Sequence, residues 1–207
     1  MPRRRFFWLT VILVSLALYF PINRVAHGGM QLSLPIDRLV PLLPSAIVPY
    51  LFGDVLFVGL PVWAAFRAKP GEFESYTISI LLATGIAYII YLTVPTFVTR
   101  PEITATDVFS NMLRLLYQTD RVYNAAPSGH AVYTTLSFLY LSRWKPKWRL
   151  VWLAGAALIL ASTLLTRQHY VLDMAAGITV ASMAYFIGRF VGKRLLNKRP
   201  DNFTLIK

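Results

Sequence analysis

The sequence predicts an all-α integral membrane bundle of six transmembrane helices, on three observations: composition, the lengths of the apolar runs, and the placing of the basic residues. Of the 207 residues, 56% are hydrophobic and 14% charged, with a mean hydropathy of +0.54, whereas a soluble domain carries roughly 25% charged residues. A hydrocarbon core of about 30 Å needs roughly 20 helical residues at 1.5 Å each. Six runs approach that length, at 6–20, 45–66, 75–94, 130–141, 150–165 and 171–191. Lysine and arginine accumulate in cytoplasmic loops. With the N-terminus inside, 15 of the 21 basic residues fall on that side, from Arg3, Arg4 and Arg5 through "RWKPKWR" to a basic tail that includes Lys198, Arg199 and Lys207.

Taken in order, the first run follows "RRR" like a signal peptide, but no small-x-small cleavage site follows "LALYFPINRVAHGG", so it reads as an uncleaved anchor. The outer segment 21–44 is rich in proline, and its "LPIDRLVPLLP" reads as an interfacial segment. The second and third runs are long enough to span. The outer loop between spans three and four, 95–128, contains "TDVFSNMLRLLYQTD". There Val108, Met112, Leu115 and Leu116 recur at helical spacing and predict an interfacial amphipathic helix. The fourth run is short, and the fifth and sixth are joined by "TRQHYVLD", which falls outside. Trp8, Trp144 and Trp148 sit at inner edges, as interfacial aromatics do. Residues 1–207 read as one domain, with both termini cytoplasmic. The expected location is a cell membrane, the bacterial inner membrane as first choice.

The net charge of +12 does not point to nucleic acid, because the basic residues punctuate apolar runs instead of sharing one water-facing side. The chain has no cysteine, which excludes disulfides and thiolate metal sites. Outside, Glu102, Asp107 and Asp120 are scattered rather than clustered for a hard cation, so neither metal nor cofactor is expected. Oligomeric state is not readable; "GRFVG" at 188–192 only matches a small-residue packing spacing. Asp54 lies inside the second run, where a charge costs on the order of 3 kcal/mol. A structural hydrogen bond is the favoured reading there over a role in a site.

Three outer segments carry chemistry. In "TRQHYVLD", His169 and Asp173 are four apart, so on a helix they share a face. A carboxylate on one imidazole nitrogen leaves the other as nucleophile or base. In "NAAPSGHAVYTT", 124–135, Ser128 is a helix N-cap, and the free N–H groups beyond it, with the dipole, suit an anion. His130 follows in the first turn, beside such an anion. In "FVTRPE", 97–102, Arg100 offers a forked guanidinium, and Pro101 keeps it out of helical geometry. Together they offer an anion grip, an acid and an oriented nucleophile, the parts phosphoryl transfer requires.

In order and spacing, "RP", "PSGH" and "HYVLD" resemble the three signature motifs of the type 2 phosphatidic acid phosphatase superfamily, KxxxxxxRP, PSGH and SRxxxxxHxxxD. The middle motif is complete, and by composition such an ordered match arises in roughly one chain in a thousand of this length. The resemblance implies that His169 attacks phosphorus to form a phosphohistidine, that Asp173 orients it, and that His130 protonates the leaving alcohol. It also implies that Arg100, Ser128 and the backbone of Gly129 hold the phosphate, without a metal, in a membrane lipid phosphate at the extracytoplasmic face. Two of the family's cations are absent: the first motif's lysine position is Thr93 and the third motif's arginine position is Thr163, although Ser162 matches. Arg167 is the nearest substitute as a phosphate-binding residue if its turn is irregular, with Arg114 and Arg121 as other candidates. This weakened pattern is similar to the branch that includes inositol phosphorylceramide and sphingomyelin synthases, which pass a phosphorylated headgroup to another lipid's hydroxyl. Hydrolysis is the leading expectation, headgroup transfer the alternative, and a non-catalytic transporter or structural protein the third reading.

Overall fold

The computed structural model describes residues 1–197, with side chains as far as Arg194. Lys198, Arg199 and Lys207 of the basic tail lie outside the described residues. The described residues form helices joined by loops, with α1 (Arg3–Ala17), α2 (Tyr19–Val25), α3 (Ile47–Arg67), α4 (Glu72–Thr93), α5 (Val108–Thr119), α6 (Gly129–Trp144), α7 (Arg149–Leu165) and α8 (Val171–Asn197). Five stretches are long and apolar enough to cross a membrane: Arg3–Val25, Pro44–Arg67, Glu72–Thr93, Pro146–Leu165 and Val171–Arg194. The fourth expected span, α6, has 16 residues and is not among them. It is nevertheless central, packed against α8, α7 and α3.

The first crossing is longer than its apolar run suggests. Helix resumes after Leu18 and continues to Val25, because Pro21 sits in the first turn of α2, where its missing N–H is not needed. The helix in the second long loop is present as α5, capped by the Asp107 carboxylate, which accepts from the N–H groups of Phe109 and Ser110. That bonding also holds the Asp107 carboxyl below its ordinary range, with Ser110 the main cause. Its buried face differs from the expected one. Leu113, absent from the spacing argument, is fully buried against Ile47 and Tyr50, while Val108 and Leu115 are exposed. Burial here is decided by the way α5 lies over the start of α3.

Close packing of α8 sets the architecture. A Cβ at Gly188 would overlap the Ser79 hydroxyl and one at Gly192 the Ser75 hydroxyl, so the small residues of "GRFVG" let α8 lie directly on α4 within this chain. Below them, Tyr76 and Tyr140 are fully buried and meet edge to face at 5.1 Å. The Tyr140 hydroxyl pairs with Ser79 Oγ at 2.8 Å, as a buried phenol requires. Nearer the other end, a Cβ at Gly177 would stand 2.6 Å from the Ser128 carbonyl oxygen. That glycine brings α8 against the start of α6.

Candidate active site

The loops 26–46, 94–107, 120–128 and 166–170 gather at one end of the bundle, and the sequence-predicted residues gather with them. The turn at 166–170 is irregular. Arg167 has φ +53, the left-handed conformation that commonly ends a helix. It folds the chain back so that the N–H groups of Gln168 and His169 both donate to the Thr163 carbonyl, at 3.0 and 3.2 Å. Thr163, which stands where the family pattern has arginine, is fully buried and contributes its backbone rather than a charge.

His169 therefore precedes α8 instead of riding on it, and this changes its relation to Asp173. The separation from His169 Nδ1 to Asp173 Oδ2 is 3.9 Å, too long for a hydrogen bond. Oδ2 instead accepts from the Tyr170 N–H at 2.8 Å and so caps α8. His169 Nδ1 lies 3.0 Å from the Ala125 carbonyl oxygen. A carbonyl can only accept, so Nδ1 carries the proton and Nε2 keeps its lone pair. Orientation of the histidine by a direct bond from Asp173 is thus corrected to orientation by the Ala125 carbonyl. Burial pushes His169 down to about 3, with the neighbouring His130 adding to the effect and the Ala125 bond opposing it. The imidazole is neutral across the physiological range.

His130 lies in the first turn of α6, behind the Ser128 N-cap, whose Oγ accepts from the Ala131 N–H at 3.2 Å. One face of α3 holds it. Tyr50 stacks on the ring at 3.9 Å, Phe57 meets it edge-on at 4.9 Å, and Asp54 Oδ1 stands 3.1 Å from Nε2. That contact is an ion-pair distance outside hydrogen-bond alignment, and Nε2 has no hydrogen-bond partner. The two imidazole rings are neighbours, with centroids 6.3 Å apart and planes tilted by 49°. Asp54, favoured from sequence as a structural group, is beside His130. Its signal was legible, since Tyr50, Asp54 and Phe57 fall at i, i+4 and i+7.

Arg100 is buried, its side chain 7% exposed. Its Nη1 donates to the Asp120 carbonyl at 2.6 Å and to the Tyr117 carbonyl at 3.3 Å. Nη2 donates to the Arg121 carbonyl and to Gln168 Oε1, the residue before His169. The guanidinium stacks on Tyr117 at 4.7 Å, and Asp120 Oδ2 lies 3.8 Å away. Burial raises the Asp120 carboxyl above its ordinary range, against the lowering pulls of Tyr19 and Arg100. Arg167 is turned elsewhere: it donates to the Asp37 carbonyl at 2.6 Å and to the Val40 carbonyl. Its turn is irregular, as its substitute role required, but the guanidinium pins the proline-rich loop. Arg114 and Arg121 are likewise bonded to loop carbonyls, at Ile103 and Ala105 and at Arg24. Ser128 is tied to α8, its N–H donating to the Asp173 carbonyl at 2.9 Å, while Gly129 opens the helix under the Tyr91 hydroxyl. The elements so assembled are a neutral imidazole, a second imidazole beside a carboxylate, and one buried guanidinium. Among the described residues no three histidine, aspartate or glutamate side chains converge as metal ligands.

A family model described as the PAP2 superfamily matches residues 40–187, which takes in α3 to α7, the larger part of α8 and every residue of the constellation. Neither a curated protein nor a solved structure matches the chain.

Proposed function

The chain belongs to the PAP2 superfamily, whose members are phosphatases or related phosphotransferases, and on that premise we propose that it hydrolyses a membrane lipid phosphate through a phosphohistidine at His169. The observation that carries this reading is the Ala125 carbonyl on His169 Nδ1, which leaves Nε2 unprotonated in a ring whose neighbour is His130. Nε2 attacks phosphorus, a P–N bond forms, and the P–O bond to the lipid breaks. His130, beside Asp54, gives a proton to the departing oxygen. Water then attacks the phosphohistidine, His130 takes a proton from it, and the P–N bond breaks to release phosphate. Arg100, Ser128 and the Gly129 N–H hold the phosphoryl oxygens as charge develops. Asp173 acts through the backbone it caps, and Arg167 acts through the loop it pins.

In this reading α6 is the fourth crossing. At about 24 Å it is shorter than the bilayer core, but α3, α7 and α8 pack around it and shield its ends. Six crossings put both termini on the cytoplasmic side and the site on the extracytoplasmic side, with α5 at that outer surface. Transfer to the hydroxyl of a second lipid is a second reading. It is favoured by the threonines at 93 and 163, which make the phosphate site less cationic than the family pattern.

Purified protein in detergent, alongside an His169→Ala control, is offered labelled lipid phosphates and, separately, a phosphodiester lipid with a ceramide or diacylglycerol acceptor. Released phosphate supports hydrolysis, and a new labelled lipid supports transfer. Equal activity in the control overturns the phosphohistidine reading, whichever product forms.

A further inference from the structure

Several polar groups next to His169 are buried and unmatched, which native structures seldom tolerate without a ligand or a strained purpose. Gln168 is 3% exposed. Its Oε1 is fixed by Arg100, which can only donate, so the amide cannot flip and its Nε2 is the end left without a partner. Asn124 is also 3% exposed, in the left-handed region at φ +60, with neither Oδ1 nor Nδ2 bonded. The residue after it supplies the carbonyl on His169 Nδ1. Arg100 Nε is a third buried donor without a partner. Each of these groups is one residue or one hydrogen bond away from His169 or from the carbonyl that orients it.

The charges around the site point the same way. Positions 93 and 163 are threonines, and Thr93 is turned back onto the Ile89 carbonyl. Arg167 is spent on loop carbonyls, and Arg100 already faces Asp120 at 3.8 Å. Asp173 lies 3.9 Å from one imidazole and Asp54 3.1 Å from the other. A dianion placed here meets three carboxylates, Asp54, Asp120 and Asp173, and one guanidinium, that of Arg100.

We propose that the side-chain amides of Gln168 and Asn124 hold phosphoryl oxygens where two cations are absent, and that this neutral cradle selects a phosphoryl group carrying one charge over one carrying two. The inference rests on the phosphohistidine reading. It makes Gln168 and Asn124 binding and specificity residues, and it makes a phosphodiester, or a monoester after protonation, the better substrate. Neutral amides donate to an anion without the charge that would reward a second negative charge.

The alternative role for Gln168 is to hold Arg100, and Gln168→Glu separates the two. Glutamate keeps the oxygen that Arg100 needs and strengthens that pairing, but it removes the Nε2 donor and adds a charge. With unfolding temperature matched to wild type, the cradle predicts a loss of about 100-fold in turnover, the usual scale for one lost transition-state donor. Turnover equal to wild type would overturn the cradle. A second measurement needs no variant: short-chain lipids with one diacylglycerol moiety, presented as phosphate monoester and as phosphodiester, are compared between pH 5 and 7.5. The monoester loses its second proton near pH 6, whereas His169 stays neutral above about 3 and the diester corrects for every other titration. The ratio of monoester to diester kcat/KM is expected to rise several-fold as pH falls through 6; a flat ratio contradicts the inference. An inactive His169→Ala with a fully active Gln168→Glu removes the cradle alone. An active His169→Ala removes the phosphohistidine reading itself.

Discussion

The two ends of the bundle each carry a cluster of polar side chains, and the clusters are finished differently. At the end remote from His169, both oxygens of Glu72 are occupied: Arg143 Nε at 3.0 Å, Arg143 Nη2 at 2.8 Å, Arg189 Nη1 at 3.2 Å and Trp144 Nε1 at 3.2 Å. That cluster joins α4, α6 and α8 and leaves no capacity for a ligand. At the other end, His130 Nε2, Gln168 Nε2, Asn124 Nδ2, Arg100 Nε and Asp173 Oδ1 are buried without partners. An unpaired buried polar group costs about 1–3 kcal/mol, and at the Glu72 end only the hydroxyls of Thr77 and Ser142 are left so among the described residues, whereas at the His169 end the unpaired atoms belong to an imidazole, two amides, a guanidinium and a carboxylate. The contrast lies in the charged and amide groups, which are paired at the Glu72 end and left open around His169.

Substitutions at the two ends should therefore part company. The largest effect short of removing the nucleophile belongs to His130→Gln, expected to lower kcat by about 10²–10⁴-fold, the range for a lost acid or base. Part of that loss should return with a nitrophenyl leaving group, which needs no proton. Equal losses on both substrates would show that His130 serves packing on Tyr50 and Phe57 instead. Gly177→Ala comes next. Its methyl group would stand 2.6 Å from the Ser128 carbonyl and 2.7 Å from the Ala131 Cβ, so α8 must move off α6, at about 1–3 kcal/mol of stability by denaturant titration, with turnover falling alongside.

A smaller effect concerns acid. His169 has its folded pKa lowered to about 3, below an unfolded value near 6.5, so the unfolded chain binds the extra proton between those limits. Its contribution to stability is complete above about pH 6.5 and is lost as pH falls toward 3. Thermal unfolding of His169→Gln should accordingly fall less steeply with acid than that of wild type, and parallel curves would refute the assignment. The smallest effect belongs to the opposite end. Glu72→Gln is expected to cost no more than about 1 kcal/mol, because the cluster is partly exposed, and to leave kcat per folded molecule unchanged. A large loss of kcat there would erase the contrast between the ends.

The helices were legible because their cause is local: apolar length fixes a long helix, and Ser128 announces its own helix as an N-cap. The faces were less so. Leu113 is buried in place of Val108 and Leu115 because the partner surface, Ile47 and Tyr50 on α3, lies far away in sequence. In the site, the motifs pointed to His130, His169 and Arg100, and the fold brings these side chains to one end of the bundle. The motifs misassigned the bond to His169, because a backbone carbonyl at Ala125 has no signature and the left-handed turn at Arg167 carries no glycine to betray it. Gln168 and Asn124 were passed over for a related reason. A neutral amide becomes informative only when burial shows that nothing answers it.

The central claim is that phosphorus becomes bonded to His169. Rapid acid-free quenching of wild-type enzyme mixed with ³²P-labelled lipid phosphate, and of His130→Gln mixed with a ³²P-labelled nitrophenyl ester, followed by peptide mapping, tests it directly. The account predicts a base-stable, acid-labile label on the peptide containing His169, accumulating in His130→Gln, where leaving-group expulsion from a nitrophenyl substrate outpaces hydrolysis, and absent from His169→Ala. Full turnover with no label under those conditions, or label that persists in His169→Ala, would contradict it.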